Sequence, residues 1–362
     1  MTGADVFWLI VVFVFGATIG SFLNVCVWRL PLGKSLLWPP SHCPKCFQPV
    51  GGWNIPIFGY FLLRGRCAQC GDKFSIQYPA VEFLNAVLMA FLYYMIVICA
   101  HGAWPLFLAY ATLTIILVVN TFVDIETQTV PRALSLFGVI AAGVSSVAYP
   151  HLHALYLGAH KGGGRWVEQV SDWIAGMPPL DGLMASLAGM VAGAIVCLVV
   201  RFFGTVLFRR QAVKGLLRDA WKGGSANAGN GSGETPGASR GGGTVRRSLA
   251  CLVALFEAFL GLRHFPEDGE AMGLGDAWIM AVIGGFLGWR ATPVVFLVAA
   301  MVGAVFGIVT LLLKRGHKVP YGPYLSVGAM VVMLWGNELM QLWFVTIMHL
   351  DSAPLLLSHV VR

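Results

Sequence analysis

The chain has 362 residues, 57% of them hydrophobic and only 11% charged, with a formal net charge of +7, and its mean hydropathy is +0.75. Soluble domains carry roughly 25% charged residues, so a soluble globular fold is excluded and the chain reads as an all-α polytopic membrane protein. The positive balance is no nucleic-acid footprint, because Lys and Arg gather on cytoplasmic loops for reasons of insertion alone.

Apolar runs long enough to cross a bilayer, roughly 17–25 residues, lie near 6–28, 83–100, 105–123, 133–149, 183–203, 293–313 and 324–348. A shorter run, 277–289, sits between Asp276 and Arg290, and counting it predicts eight transmembrane helices. The first run has Asp5 before it and Arg29 and Lys34 after it. Those flanks predict an anchor with its N-terminus outside rather than a cleaved signal. Alternating from there leaves only Lys161, Arg165, Arg290 and Arg362, of 24 Lys and Arg, on the outer side. That bias predicts the orientation.

Residues 29–82 follow the first helix as a polar cytoplasmic domain. They carry Cys43-Pro44-Lys45-Cys46 and Cys67-Ala68-Gln69-Cys70. Two CxxC turns aim four sulfurs at one point, which predicts a closed, structural Zn²⁺ site of tetrahedral geometry. Disulfides are disfavoured on the reducing side of the membrane. Cys26, Cys99, Cys197 and Cys251 lie in apolar stretches and read as small buried hydrophobes.

Helices two to five are expected within 83–203, and the third ends at Asp124-Ile125-Glu126-Thr127-Gln128. The outer loop 150–182 holds His151, His153 and His160 without a Cys or carboxylate pattern beside them, so it reads as solvated. Segment 204–272 is read as a cytoplasmic insert. Its Gly-rich stretch 209–247 is a flexible linker without a phosphate-loop signature. Residues 248–262, short and interrupted by Glu257, read as an interfacial or re-entrant helix. The last region, 273–362, opens with Gly273-Leu274-Gly275-Asp276 and holds helices six to eight.

Charged residues at membrane depth are costly and commonly functional. In the eight-helix arrangement Asp124 and Asp276 both fall at the inner face. Two carboxylates brought close share a proton, which suits hydrolysis of an amide: one takes a proton from water and the other protonates the leaving nitrogen. Asp276 also reads as a helix cap or dipole partner. Glu126 rivals Asp124, while Glu82 and Glu338 are further membrane-edge carboxylates, the latter near the outer end of its helix.

These residues, in order, resemble the type IV prepilin peptidases, GxGD aspartic proteases of the bacterial inner membrane. The likeness runs through Gly20-Ser21-Phe22-Leu23-Asn24, Arg29-Leu30-Pro31, the four cysteines, Asn54-Ile55-Pro56, Arg64-Gly65-Arg66, Tyr78-Pro79, Glu82, Asp124, Gln128, Pro131, Gly273 to Asp276 and Pro320-Tyr321-Gly322-Pro323-Tyr324. It implies a catalytic pair, Asp124 and Asp276, with prepilins and pseudopilins as substrates cut at the cytoplasmic face. It also implies N-methylation of the new N-terminus with S-adenosylmethionine. Trp278 and Arg132 stand where the family usually has Lys and Asp, and 209–270 is longer than expected. Trp278 and Arg132 favour a second reading, a non-enzymatic membrane scaffold for pilus or secretion assembly. A carrier with midplane carboxylates is disfavoured, since both aspartates lie at one face and no inverted repeat is visible.

Overall fold

The computed structural model describes residues 2–43, 45–50, 55–99, 104–150, 152–153, 179–208, 214, 217–218, 248–251, 253–254, 273–312 and 320–341. Its elements are helices α1 (Gly3–Arg29), α2 (Phe58–Leu62), α3 (Gln77–Tyr93, continued as a π-helix over Tyr94–Cys99), α4 (Trp104–Thr127), α5 (Arg132–Ala148), α6 (Pro179–Phe208), α7 (Leu274–Leu287), α8 (Ala291–Leu312) and α9 (Gly322–Gln341). Among the described residues, extended pairing is limited to two isolated β-bridges.

Among the described residues, each of the eight predicted crossing runs is helical, and several helix ends have local causes. A capping box starts α1: Thr2 Oγ1 accepts the Asp5 N–H at 3.3 Å and the Asp5 carboxylate accepts the Thr2 N–H at 2.6 Å. Helix α3 begins at Gln77, before the expected 83, because Pro79 is tolerated in a first turn. Glu82 therefore lies in the second turn of α3. Helix α4 runs on through Asp124 to Thr127. Gly288, with φ +84°, follows the end of α7.

Among the described residues, five helical stretches are long and apolar enough to cross a membrane: Gly3–Arg29, Gln77–Cys99, Trp104–Thr127, Leu180–Gly204 and Ala291–Thr310. Three more, Arg132–Ala148, Leu274–Leu287 and Gly322–Gly336, are apolar but shorter. At 1.5 Å per residue α7 measures only ~21 Å, less than the roughly 30 Å of a hydrocarbon core.

Chain contacts divide the protein into two units, Met1–Gly193 with Ile279–Arg362, and Ala194–Trp278. The first is built around α4, which packs against α1, α3, α5 and α9. Its most apolar window is 72% buried, against 22% for α1, so α4 is the central helix and α1 is peripheral. On α1, Val6, Phe7, Ile10, Val14 and Phe15 are exposed, as a lipid-facing side requires.

The helices approach closely where side chains are small. Gly16 and Gly20, four apart on α1, face α3: a Cβ on Gly20 would lie 2.7 Å from the Glu82 Cα. Asn85 Nδ2 donates to the Gly16 carbonyl at 2.7 Å, and Asn24 Nδ2 donates to the Tyr78 carbonyl at 3.0 Å. The same spacing recurs at Gly189 and Gly193 on α6. There a Cβ would overlap the carbonyls of Gly284 and Met280 on α7, and Ser186 Oγ donates to the Gly285 carbonyl at 2.9 Å.

Gly20→Ala should therefore destabilise the protein by about 1–3 kcal/mol through overpacking. Gly3→Ala, where a Cβ meets nothing within 4 Å, should be neutral. Melting of both variants in one detergent checks the contrast, and equal midpoints would refute the close approach.

Candidate functional site

The four cysteines sit in two turns of the same construction, displaced by 24 positions. In the first, the Cys43 N–H donates to the Gln48 carbonyl, the Phe47 N–H donates to the Cys43 carbonyl, and His42 bridges Pro49. In the second, the Cys67 N–H donates to the Asp72 carbonyl, the Gly71 N–H donates to the Cys67 carbonyl, and Arg66 bridges Lys73. The residue after each CxxC is left-handed, Phe47 at φ 57° and Gly71 at φ 73°. Only the second position carries the residue that tolerates this without strain. The Phe47 ring stacks on His42, with centroids 6.0 Å apart.

These turns bring all four Sγ atoms within 4.8 Å of one another. Cys43 Sγ lies 3.8 Å from Cys70 Sγ, and Cys46 Sγ lies 3.9 Å from Cys67 Sγ. Disulfides need roughly 2.05 Å, so these are thiols. A tetrahedral ion with metal–sulfur bonds of ~2.3 Å sets its sulfurs ~3.8 Å apart, which the group already meets. The backbone N–H groups of Cys70 and Gln69 hold the Cys67 thiol down to about 7. Cys70 has the Asp72 N–H acting downward, yet desolvation and the thiols of Cys46, Cys67 and Cys43 push it up to about 11. Crowded thiols cannot all ionise without a cation, and a metal supplies one. Lys45 Nζ bonds Asp72 Oδ1 at 2.9 Å across the two turns.

Asp124 occupies the last turns of α4, and only 6% of it is exposed. Its Oδ2 accepts the N–H of Gly322, the first residue of α9, at 2.8 Å. A Cβ on Gly322 would come within 2.7 Å of that oxygen, so only glycine lets the start of α9 seat against the carboxyl. Glu126, two residues on, is exposed and accepts from Gln77 Nε2. The two carboxylates that spacing left open thus differ sharply in setting.

Asp276 lies in the first turn of α7 and is half-buried. Its carbonyl accepts from Cys197 Sγ at 3.7 Å. It belongs to the second contact unit and Asp124 to the first. Trp278 and Arg132, the two departures, are exposed. Cys26 and Cys197 are buried as expected, whereas Cys99 is exposed on the π-helix. His153 is buried rather than solvated, because the turn after α5 folds back and brings its Nε2 to 3.2 Å from Ser146 Oγ. Burial pushes its pKa down to about 4. His151, His160, Glu257 and nearly all of the 209–247 linker lie outside the described residues, as does the Glu338 side chain.

Two features were not singled out by sequence reasoning. The first is Asn120, one turn before Asp124, wholly buried, with neither amide atom bonded within the described residues. The signal was an Asn four positions before an Asp in an apolar run, which places both on one helix face. The second is a cavity of about 640 Å³ between the cysteine lobe and the ends of α1 and α3. Trp28, Trp38, Tyr78, Arg66, Lys34 and Glu82 are among the residues lining it. Arg29 braces its rim by donating to the carbonyls of Ser35 at 3.0 Å and Pro39 at 2.7 Å. Glu82 Oε2 accepts the Ile57 N–H at 2.7 Å.

Several membrane-crossing helices, a four-thiol lobe after the first and a buried carboxyl at the end of the central one define a class of multi-pass membrane proteins. Residues 14–96 match the family model described as Bacterial Peptidase A24 N-terminal domain, and residues 237–308 match that described as Type IV leader peptidase family. A protein of Aeromonas salmonicida named Prepilin leader peptidase/N-methyltransferase is 27% identical, with 93% of this chain and 94% of that protein covered. Proteins of the same name from Legionella pneumophila and Pseudomonas putida are 24% and 25% identical, with 94% and 90% of this chain and 95% and 90% of those proteins covered. Over these stretches the chain is similar to the type IV leader peptidase family. No solved structure matches it.

Titrating Co²⁺ into the metal-free protein should produce the visible bands of a tetrahedral thiolate complex, saturating near one ion per chain. Cys67→Ser should weaken them. Bands of equal strength without Cys67 would show that the four sulfurs do not act as one ligand set.

Proposed function

We propose that this chain is a membrane aspartic endopeptidase that removes the leader of type IV prepilins and pseudopilins and then N-methylates the new N-terminus. The buried Asp124, seated on the start of α9, is the observation that carries this reading, and the likeness to the leader peptidases agrees with it. Asp124 and Asp276 are the proposed catalytic pair. The ionised member takes a proton as water attacks the scissile carbonyl carbon, and the protonated member bonds the carbonyl oxygen and then protonates the departing nitrogen. Water is consumed, one acid and one amine are released, and the pair ends with its single proton.

All eight apolar helices are proposed to cross the bacterial inner membrane. The cysteine lobe and both aspartates then face the cytosol. This follows from the charge bias and from the substrate: a basic leader stays in the cytosol while the apolar pilin segment stays in the lipid. The proposed organisation is 1–28, 29–82, 83–203, 204–272 and 273–362, as the charge and composition changes divide it. Zn²⁺ is the proposed ion at Cys43, Cys46, Cys67 and Cys70. Four thiolates leave it no open position, so its role is structural.

The cavity beside α1 suits S-adenosylmethionine. Its volume falls in the range of small-molecule sites, roughly 300–1,000 Å³. Trp28 and Trp38 offer π-faces for a purine or a sulfonium, Glu82 offers a carboxylate for hydroxyl or ammonium groups, and Lys34 and Arg66 offer cations for a carboxylate. When bound, the sulfonium supplies the methyl group; the chain's own residues hold and orient it.

Asp124→Asn and Asp276→Asn should each lower prepilin cleavage by at least about 10²-fold at unchanged protein level. Near-normal processing by either would remove the proposed pair and favour the scaffold reading. For the cavity, Trp28→Ala should weaken labelled S-adenosylmethionine binding by about three- to thirtyfold in equilibrium dialysis. Unaltered affinity would place the donor elsewhere.

A further inference from the structure

The contact between α4 and α9 carries a row of polar groups that leads to Asp124. Thr114 Oγ1 faces Met330 Sδ at 3.6 Å, and Ser326 Oγ donates to the Leu117 carbonyl at 3.3 Å and to its own Gly322 carbonyl at 3.0 Å. The Gly322 N–H then closes the row on Asp124. Asn120 stands in this row and is the member without a protein partner: both its amide atoms are buried and unbonded among the described residues. Sequestered amides are almost always paired, and this one would be cheaper as leucine if it had only to pack.

The surroundings of Gly322 say what it pairs with. A Cβ there would lie 2.7 Å from Asp124 Oδ2 and 3.0 Å from Asn120 Nδ2. The carboxyl and the amide therefore converge on one flank of one glycine, no more than two hydrogen-bond lengths apart, yet they make no direct bond. Asn120 is wholly buried, a turn deeper than Asp124, so a polypeptide substrate does not reach it.

Resting on the assignment of Asp124 as a member of the catalytic pair, we propose that Asn120 is a positioning residue that bonds a water molecule bridging its amide to the Asp124 carboxyl. That water and the Gly322 N–H hold the carboxyl from two sides, fixing the oxygen that faces the reaction. Asn120 acts only through Asp124 and takes no part in substrate binding. Gly322 is glycine for the same reason, since any side chain would fill the shared space.

The test uses the full-length protein in detergent with a prepilin substrate, reading kcat, KM and melting temperature together. Asn120→Leu keeps the volume but removes both polar atoms. It should lower kcat at least tenfold, leave KM within twofold and leave melting unchanged or higher. Asn120→Ser, which can still hold water, should recover part of that kcat. A purely structural asparagine predicts the reverse, a lowered melting temperature with wild-type kcat per folded molecule, and that result would overturn the proposal. If the leucine variant does not accumulate, Asn120→Ala serves the same comparison. Asp124→Asn runs alongside. Its inactivity together with a fully active Asn120→Leu sinks only the role of Asn120, whereas a fully active Asp124→Asn sinks the catalytic assignment and this inference with it.

Discussion

The hydrogen bond from the Gly322 N–H to Asp124 ties the first unit together at its most sensitive point. A buried carboxyl in an apolar bundle must find donors, and a helix N-terminus offers free N–H groups and a favourable dipole. The bond at 2.8 Å therefore seats the first residue of α9 against the last turns of α4. It also explains the glycine in Pro320-Tyr321-Gly322-Pro323-Tyr324: the turn must bring bare backbone to the carboxyl, and the proline after it suits the first turn of a helix. The aromatic rings of Tyr321 and Tyr324 pack against each other and against Phe296 and Phe306, which holds that turn from the far side.

Around this joint the bundle uses backbone proximity in place of side-chain interlocking. In a lipid environment apolar side chains gain little by leaving the tails for a neighbour, so association relies on close packing and on polar groups that bond across helices. Gly16, Gly20, Asn24 and Asn85 serve α1 and α3 in this way, and Gly189, Gly193 and Ser186 serve α6 and α7. Each asparagine or serine donates to a backbone carbonyl, which does not depend on the identity of the partner side chain. The peripheral α1 is thereby attached along its α3 and α4 side, leaving Val6, Phe7, Ile10, Val14 and Phe15 exposed.

Much of this was legible beforehand. Hydropathy marks each of the long helices, though not the five-residue α2, because length and apolarity are what a bilayer demands. The CxxC spacing predicts convergence of Cys43, Cys46, Cys67 and Cys70 because each turn is local and its geometry follows from a few backbone bonds. Helix ends were less legible. The start of α3 at Gln77 and the extension of α4 to Thr127 depend on polar residues that tertiary contacts draw into helix. The setting of Asn120 was invisible for another reason: that it lacks a partner is decided by α9, some 200 positions away, and by the glycine there. Spacing likewise could not separate Asp124 from Glu126, since both follow the same apolar run; burial against Gly322 separates them. His153 read as solvated because nothing local shows that the chain turns back after α5.

The two cysteine turns have one more implication. Each closes on itself within eight residues, through its own bridge and its own pair of backbone bonds, and neither borrows a bond from the other to do so. Short loops of this kind close quickly, whereas bringing two of them together across two dozen residues is slower and entropically dearer. Both hooks can therefore be shaped while the chain is still emerging, each presenting half of a ligand set. The late event in building this lobe is then the pairing of two prefabricated halves, with Lys45 and Asp72 as an electrostatic guide, rather than the shaping of either one.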